Sequence, residues 1–276
     1  MIAFVGSVFS PYYAWSGRRD PLDHCAINIA LYGPFGGRWA MTERGRGAVR
    51  REAATLRIGP SELAWQRDTL VIRIDEITAP LPRRLRGTIR ITPTGLPACA
   101  FALDAAGRHV WQPIAPLARI AVNFDLPGFD WFGAGYLDSN FGAEPLETGF
   151  RDWNWSRAHR ARDSVVFYDA ERRDGSSASL ALRFDADGRV KPLDPLPLVG
   201  LPRTAWRLGR TSRGDAGWEV AVDRTFEDTP FYARSLLRAR LYGESAVAMH
   251  ESLSLDRFRS PLVRLMLPFR MPRRFI

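Results

Sequence analysis

The sequence predicts an all-β protein. Three observations carry this. Short apolar runs with period-two alternation recur along the chain, turn residues separate them, and helical periodicity is scarce. The 23 glycines and 20 prolines among 276 residues supply the punctuation. With 46% hydrophobic and 25% charged residues, the chain has the composition of a globular protein with a real core.

The elements follow in order. "MIAFVGSVFSP" reads as a strand, since no basic segment precedes its apolar run as a signal peptide would require. "HCAINIALYG", "RWAMTERG", "ATLRIG", "LAWQRDTLVIRIDEIT" and "LRGTIRITP" are further strands. In the fourth of these, Leu70, Ile72 and Ile74 form one face, and Val71 makes the other face partly apolar. The stretch 105–147 is rich in Gly, Pro, Asp and aromatic residues, and reads as a long irregular segment of functional character. "RDSVVFYDAERRDGSSASLALRFDADGRV" is a hairpin turning at Asp174-Gly175. "KPLDPLPLVGLP" reads as a crossing loop. "GDAGWEVAVDRTFED" and "ARSLLRARLYGESAVAMHESLSL" supply further long strands. The expected arrangement is an antiparallel sheet system, closed or nearly so, that hides its edges. The tail "RFRSPLVRLMLPFRMPRRFI" mixes apolar side chains with six arginines. It reads either as a basic amphipathic surface element or as a piece packed on the core with its arginines in water.

Charge and motifs narrow the function. The net charge is +9, and Lys191 is the one lysine among 39 basic residues. The arginines lie scattered between strands and match no nucleic-acid motif, so no nucleic-acid partner is expected; a basic surface suits an anionic membrane equally well. Cys25 and Cys99 form no CxxC, and His24, His109, His159 and His250 share no ligand spacing, so no metal site is predicted. GxSxG, HExxH and a phosphate-binding glycine loop are absent. No run approaches the roughly 18 apolar residues of a membrane span.

What remains is carboxylate chemistry. Asp138 lies two residues after Tyr136, so in an extended chain both point to one face. His109 and Trp111 repeat that spacing. Gly133, Gly135 and Gly142 permit close approach. A carboxyl in an apolar pocket holds its proton towards neutrality, and aromatic faces steady a cation beside it. The plainer reading, Asp138 as a turn residue and Tyr136 as a core ring, stays open on spacing alone.

"AFVGSVFSPYYAWSGRRDPLDHCAINIALYG", "RWAMTERGR" and "GYLDSNFGAEPLETGFRDWNWSRA" resemble the carotenoid 1,2-hydratases of photosynthetic bacteria over nearly the whole chain. The resemblance implies two lipocalin-like β-barrels in tandem, placed at residues 1–150 and 151–276. It implies hydration of the terminal 1,2 double bond of acyclic carotenoids such as neurosporene and lycopene, without a redox cofactor. It identifies Asp138 as the catalytic acid, with His109, Trp111 and Tyr136 around it. Substrate and water are then the small-molecule partners. A polyene substrate places the protein at a membrane surface, peripherally and on the cytoplasmic side. A polyene carrier without chemistry, and an acid-catalysed isomerase or cyclase, are the competing readings. The chain begins almost inside its first motif, where members of the family carry residues before it.

Overall fold

The computed structural model describes residues 1–33 and 37–274. Strands occupy 56% of the chain and helix 11%, so the predicted class holds. The strands are Ile2–Val5 (β1), Cys25–Leu31 (β2), Arg38–Arg44 (β3), Val49–Arg51 (β4), Thr55–Ile58 (β5), Ser61–Gln66 (β6), Thr69–Ile77 (β7) and Arg84–Pro93 (β8). Then come Phe101–Ala102 (β9), His109–Leu126 (β10), Phe129–Gly142 (β11), Phe150–His159 (β12), Asp163–Arg172 (β13) and Ser177–Asp185 (β14). Val190–Pro192 (β15), Leu198–Gly200 (β16), Thr211–Arg213 (β17), Ala221–Asp228 (β18), Tyr232–Leu241 (β19) and Glu244–Ser254 (β20) follow. A helix, Pro261–Arg270, and a short strand, Arg273–Arg274, end the described chain.

Two compact units share these elements: Met1–Thr92, Arg119–Gly133 and Arg264–Ile276 make the first, and Pro93–Ala118 and Ala134–Val263 the second. A single boundary at 150/151 does not separate them, because β10 and β11 each contribute residues to both. The stretch 105–147, which reads as irregular in sequence, contains these two strands, the longest of the fold. Its prolines, glycines and exposed aromatics mask the alternation that a half-buried strand normally displays.

In the first unit, β1, β2 and β3 pair antiparallel, and Arg273–Arg274 adds in parallel to β3. The larger sheet runs β11-β10-β8-β7-β6-β5-β4, with β9 on β10. On β7, Leu70, Ile72 and Ile74 are buried as their alternation predicts, and Val71 is buried on the other face. Glu76 continues the Leu70 face and is fully buried. Its carboxylate accepts from Arg44 Nη2 at 2.6 Å and from Ser61 Oγ at 2.7 Å. A buried carboxylate is tolerated only when its charge and lone pairs are met in this way.

The second unit is built on the sheet β15-β14-β13-β12-β20-β19-β18. The hairpin β13–β14 turns through Gly175 at φ +86°, and β19–β20 through Tyr242 and Gly243, both at positive φ. Val165, Phe167, Leu237 and Ala248 form part of the core on one face, covered by Leu201 and Val220. A register shift between Phe150 and Asp152 bulges β12. Such an extra residue flips the side-chain alternation, so Phe150 joins the face of Trp153, Trp155 and Arg157.

The expected closed barrels are not present: among the described residues each sheet is an open path with two ends. Edges are blunted by other means. The end strand β15 is three residues long and carries Pro192, and β18 pairs with β19 through two register shifts.

The buried pair gives a stability test. Arg44→Met leaves the buried Glu76 carboxyl short of its cation, and should cost about 3–5 kcal/mol in urea denaturation. The double variant Arg44→Met/Glu76→Leu should recover most of that loss. A double variant no more stable than the single one would contradict this account of the core.

Candidate active site

Strand geometry brings Tyr136 and Asp138 to one face of β11, as their spacing predicts, and the neighbouring β10 carries His109 and Trp111. Trp111 Nε1 donates to Asp138 Oδ2 at 2.8 Å, and the Tyr136 hydroxyl donates to the same oxygen at 2.9 Å. The two donors converge on one oxygen. Oδ1 receives no hydrogen bond among the described residues.

Rings build the walls. Trp111 is fully buried, stacked on Phe101 with centroids 5.5 Å apart, and packed against Tyr168 at 5.7 Å and Phe184 at 6.3 Å. Its faces are therefore occupied by protein, and what it offers the site is its N–H. Tyr136 and Asp138 keep an intermediate exposure. Tyr136 faces Trp155 at 5.3 Å, and the Arg157 guanidinium lies over the Tyr136 ring at 5.1 Å from its centroid. Trp153 meets Tyr168 at 5.8 Å, and the Tyr168 hydroxyl donates to Asn140 Oδ1 at 3.4 Å.

The electrostatics follow from this packing. Burial pushes the Asp138 carboxyl up to about 6. The hydrogen bonds from Trp111 and Tyr136 work against that rise, because they favour the charged form. Glu251 on β20 adds to the rise, and Arg157 on β12 lowers it. Glu251 is itself held by Arg234 Nε at 2.9 Å and Nη2 at 2.8 Å. Desolvation dominates on Asp138 although the residue keeps some contact with solvent. A group that is reachable yet crowded by protein on most sides lies in a recess. Burial likewise drives the Tyr136 hydroxyl well above its ordinary range, so it stays a donor.

His109 is placed differently from the other three. It is buried two residues before Trp111, but its Nε2 faces Glu144 Oε1 at 3.3 Å and its ring meets Phe150 edge-on at 4.8 Å. No hydrogen bond joins it to Asp138 among the described contacts. Two glycines make room for the imidazole. A Cβ on Gly142 would lie 2.7 Å from Nδ1, and one on Gly149 3.0 Å from Nε2. Gly142 thus has the close-approach role expected of it, towards His109.

Trp155, Arg157, Tyr168 and Glu251 were not among the predicted site residues. A signal for the first two was present: in "RDWNWSRAH", Trp153, Trp155 and Arg157 fall at alternate positions of one strand face. Tyr168 and Glu251 are the cross-strand neighbours of Trp155, which only the sheet register reveals. No group of three or more His, Cys, Asp or Glu among the described residues could hold a metal ion.

Two measurements probe this geometry. In carbon-13 NMR the Asp138 carboxyl should titrate near 6, and Trp111→Phe should raise it further by removing a donor to the carboxylate; a fall would contradict the hydrogen-bond assignment. Gly142→Ala should displace the imidazole and cost about 1–3 kcal/mol by overpacking, read from thermal unfolding. A neutral effect would mean that the ring does not sit against the backbone there.

Comparisons with known proteins identify the family. The sequence profile of the family described as carotenoid hydratase CrtC matches residues 1–276. The acyclic carotenoid 1,2-hydratase of Thiocapsa roseopersicina is 56% identical over 99% of this chain and 68% of its own. That of Rubrivivax gelatinosus is 50% identical, over 99% and 69%. That of Cereibacter sphaeroides is 44% identical, over 99% and 98%. Among solved structures, an AttH protein of Nitrosomonas europaea superposes with a TM-score of 0.61 at 15% identity, covering 84% of this chain and 81% of that one. That likeness speaks for a shared lipocalin-like β fold. Matched along its whole length, the chain belongs to the carotenoid hydratase family.

Proposed function

We propose that the protein is an acyclic carotenoid 1,2-hydratase, adding water across the terminal 1,2 double bond of a linear polyene such as neurosporene or lycopene. The observation that carries this reading is the Asp138 carboxyl, raised to about 6 and held on one oxygen by Trp111 and Tyr136 within a wall of aromatic rings. Family membership supplies the substrate class.

The chemistry balances with a proton and water alone, since hydration is neither oxidation nor reduction; no redox cofactor enters. Protonated Asp138 donates from Oδ1, the oxygen that none of the described residues hydrogen-bonds, to C-2 of the alkene. The π electrons form the new C–H bond and leave a tertiary cation at C-1. Tyr136, which bonds the carboxyl, and its neighbour Trp155 are half-buried rings of the site, and they hold that cation by roughly 0.5–2 kcal/mol each. Trp111 acts through its N–H, since its own faces are covered. Water adds at C-1, and the oxonium returns its proton to Asp138, restoring the acid. His109 is a positioning residue in this scheme: fixed by Glu144 and two glycines, it sets β10 so that Trp111 points at the carboxylate. Asp138 touches the reacting carbon and is the catalytic residue.

The reactive form is the protonated one, so turnover should fall as pH rises through the raised carboxyl value near 6. Asp138→Asn keeps the shape and loses the proton; product formation from lycopene dispersed in detergent should drop by about 10³-fold or more, the scale of a lost general acid. Binding of the polyene should survive. A variant with ordinary turnover would remove the acid role, and a wild-type protein that binds the polyene without adding the mass of water would favour the carrier. Tyr136→Phe should shift the pH limb upwards, because it removes a donor to the carboxylate while keeping the ring.

A further inference from the structure

The helix Pro261–Arg270 carries two apolar stripes. One faces inward: Val263 is buried, and Leu267 packs with Ala26, Met41 and Met271. The other, Leu262, Leu265, Met266 and Phe269, follows the i, i+3, i+4, i+7 spacing of a single helix face. All four are exposed, at 69%, 69%, 44% and 75%. A helix apolar on both sides belongs either in a core or against a non-aqueous phase. One side here already has its core, so the second stripe is left over.

Charge selects the occupant. No acidic residue follows Asp256, while six arginines do. Arg273 is neutralised by Asp23 and Glu43, and Arg257 donates to the carbonyls of Trp206, Arg207 and Pro230. Arg259, Arg270 and Arg274, close to the stripe in sequence, are exposed. A second copy docking through the same face would set these arginines against their own kind. An anionic lipid surface would meet them with phosphate groups. The helix spans about 15 Å at 1.5 Å per residue, half of a hydrocarbon core of about 30 Å, so it lies in the interface plane and does not cross.

We propose that the outer face of this helix docks the protein on anionic bilayers, with Leu262, Leu265, Met266 and Phe269 entering the headgroup boundary and Arg259, Arg270 and Arg274 engaging lipid phosphates. This inference stands on the helix alone and is independent of the reaction assigned to Asp138.

The test uses the full chain and sucrose-loaded vesicles without carotenoid. Wild type should co-sediment with vesicles of phosphatidylglycerol and phosphatidylcholine, and about tenfold less with phosphatidylcholine alone or at high salt. Leu265→Ser/Phe269→Ser adds no charge and should weaken binding about tenfold or more. Arg259→Gln/Arg274→Gln should weaken it on anionic vesicles while leaving the residual binding to phosphatidylcholine unchanged. Circular dichroism melting should match wild type for both variants, since the replaced side chains are exposed. Wild type that stays in the supernatant, or a serine variant that still sediments fully, would overturn the proposal. So would sedimentation equilibrium showing a dimer that the serine variant abolishes, because the stripe would then be a contact between copies.

Discussion

The site depends on two hydrogen bonds that end on the same oxygen. Trp111 Nε1–H and the Tyr136 hydroxyl both donate to Asp138 Oδ2. A carboxyl buried among rings tends to stay protonated; donors aimed at its anion pull the other way. The balance leaves the group near 6, a value at which it can both give a proton and take one back. The convergence also divides the labour of the two oxygens, with Oδ2 anchored and Oδ1 free to meet a ligand. The packing around these residues meets what this arrangement requires. Trp111 must be immobile, and Phe101, Tyr168 and Phe184 pack it so. Tyr136 must keep its proton, and burial beside an acid ensures it.

A strand framework suits the task. Two adjacent strands bring Trp111, Tyr136 and Asp138 to one point without any loop having to hold them. The bulge in β12 then adds an offset that regular alternation cannot: Phe150 contacts the His109 ring while Trp153, three positions on, contacts Tyr168. Arg157 deserves its place in the same light. Its guanidinium sits over the Tyr136 ring and its charge acts on Asp138 against that of Glu251. Opposed charges on two different strands set the acid more finely than burial alone.

Much of this was legible in the sequence, for identifiable reasons. Period-two spacing placed Tyr136 with Asp138 and His109 with Trp111, because extended chains alternate without exception short of a bulge. The β13–β14 hairpin followed from Asp174-Gly175. What could not be read was pairing across strands. That His109 faces Glu144 rather than Asp138, and that Tyr168 and Glu251 border Trp155, are consequences of register, which local pattern does not encode. The same limit explains the expected boundary at 150/151: long strands shared by two units look, in one dimension, like an irregular middle. Family resemblance suggested closed barrels, yet edges finished by a proline or by bulges need no closure.

The central claim is that Asp138 delivers a proton to carbon C-2 of the polyene. Turnover in heavy water, followed by mass and NMR analysis of the product, tests it most directly. The account predicts one deuterium at C-2 that does not exchange with the solvent afterwards, and none when Asp138 is replaced by Asn, since turnover then stops. A hydrated product carrying no deuterium at C-2 would contradict it.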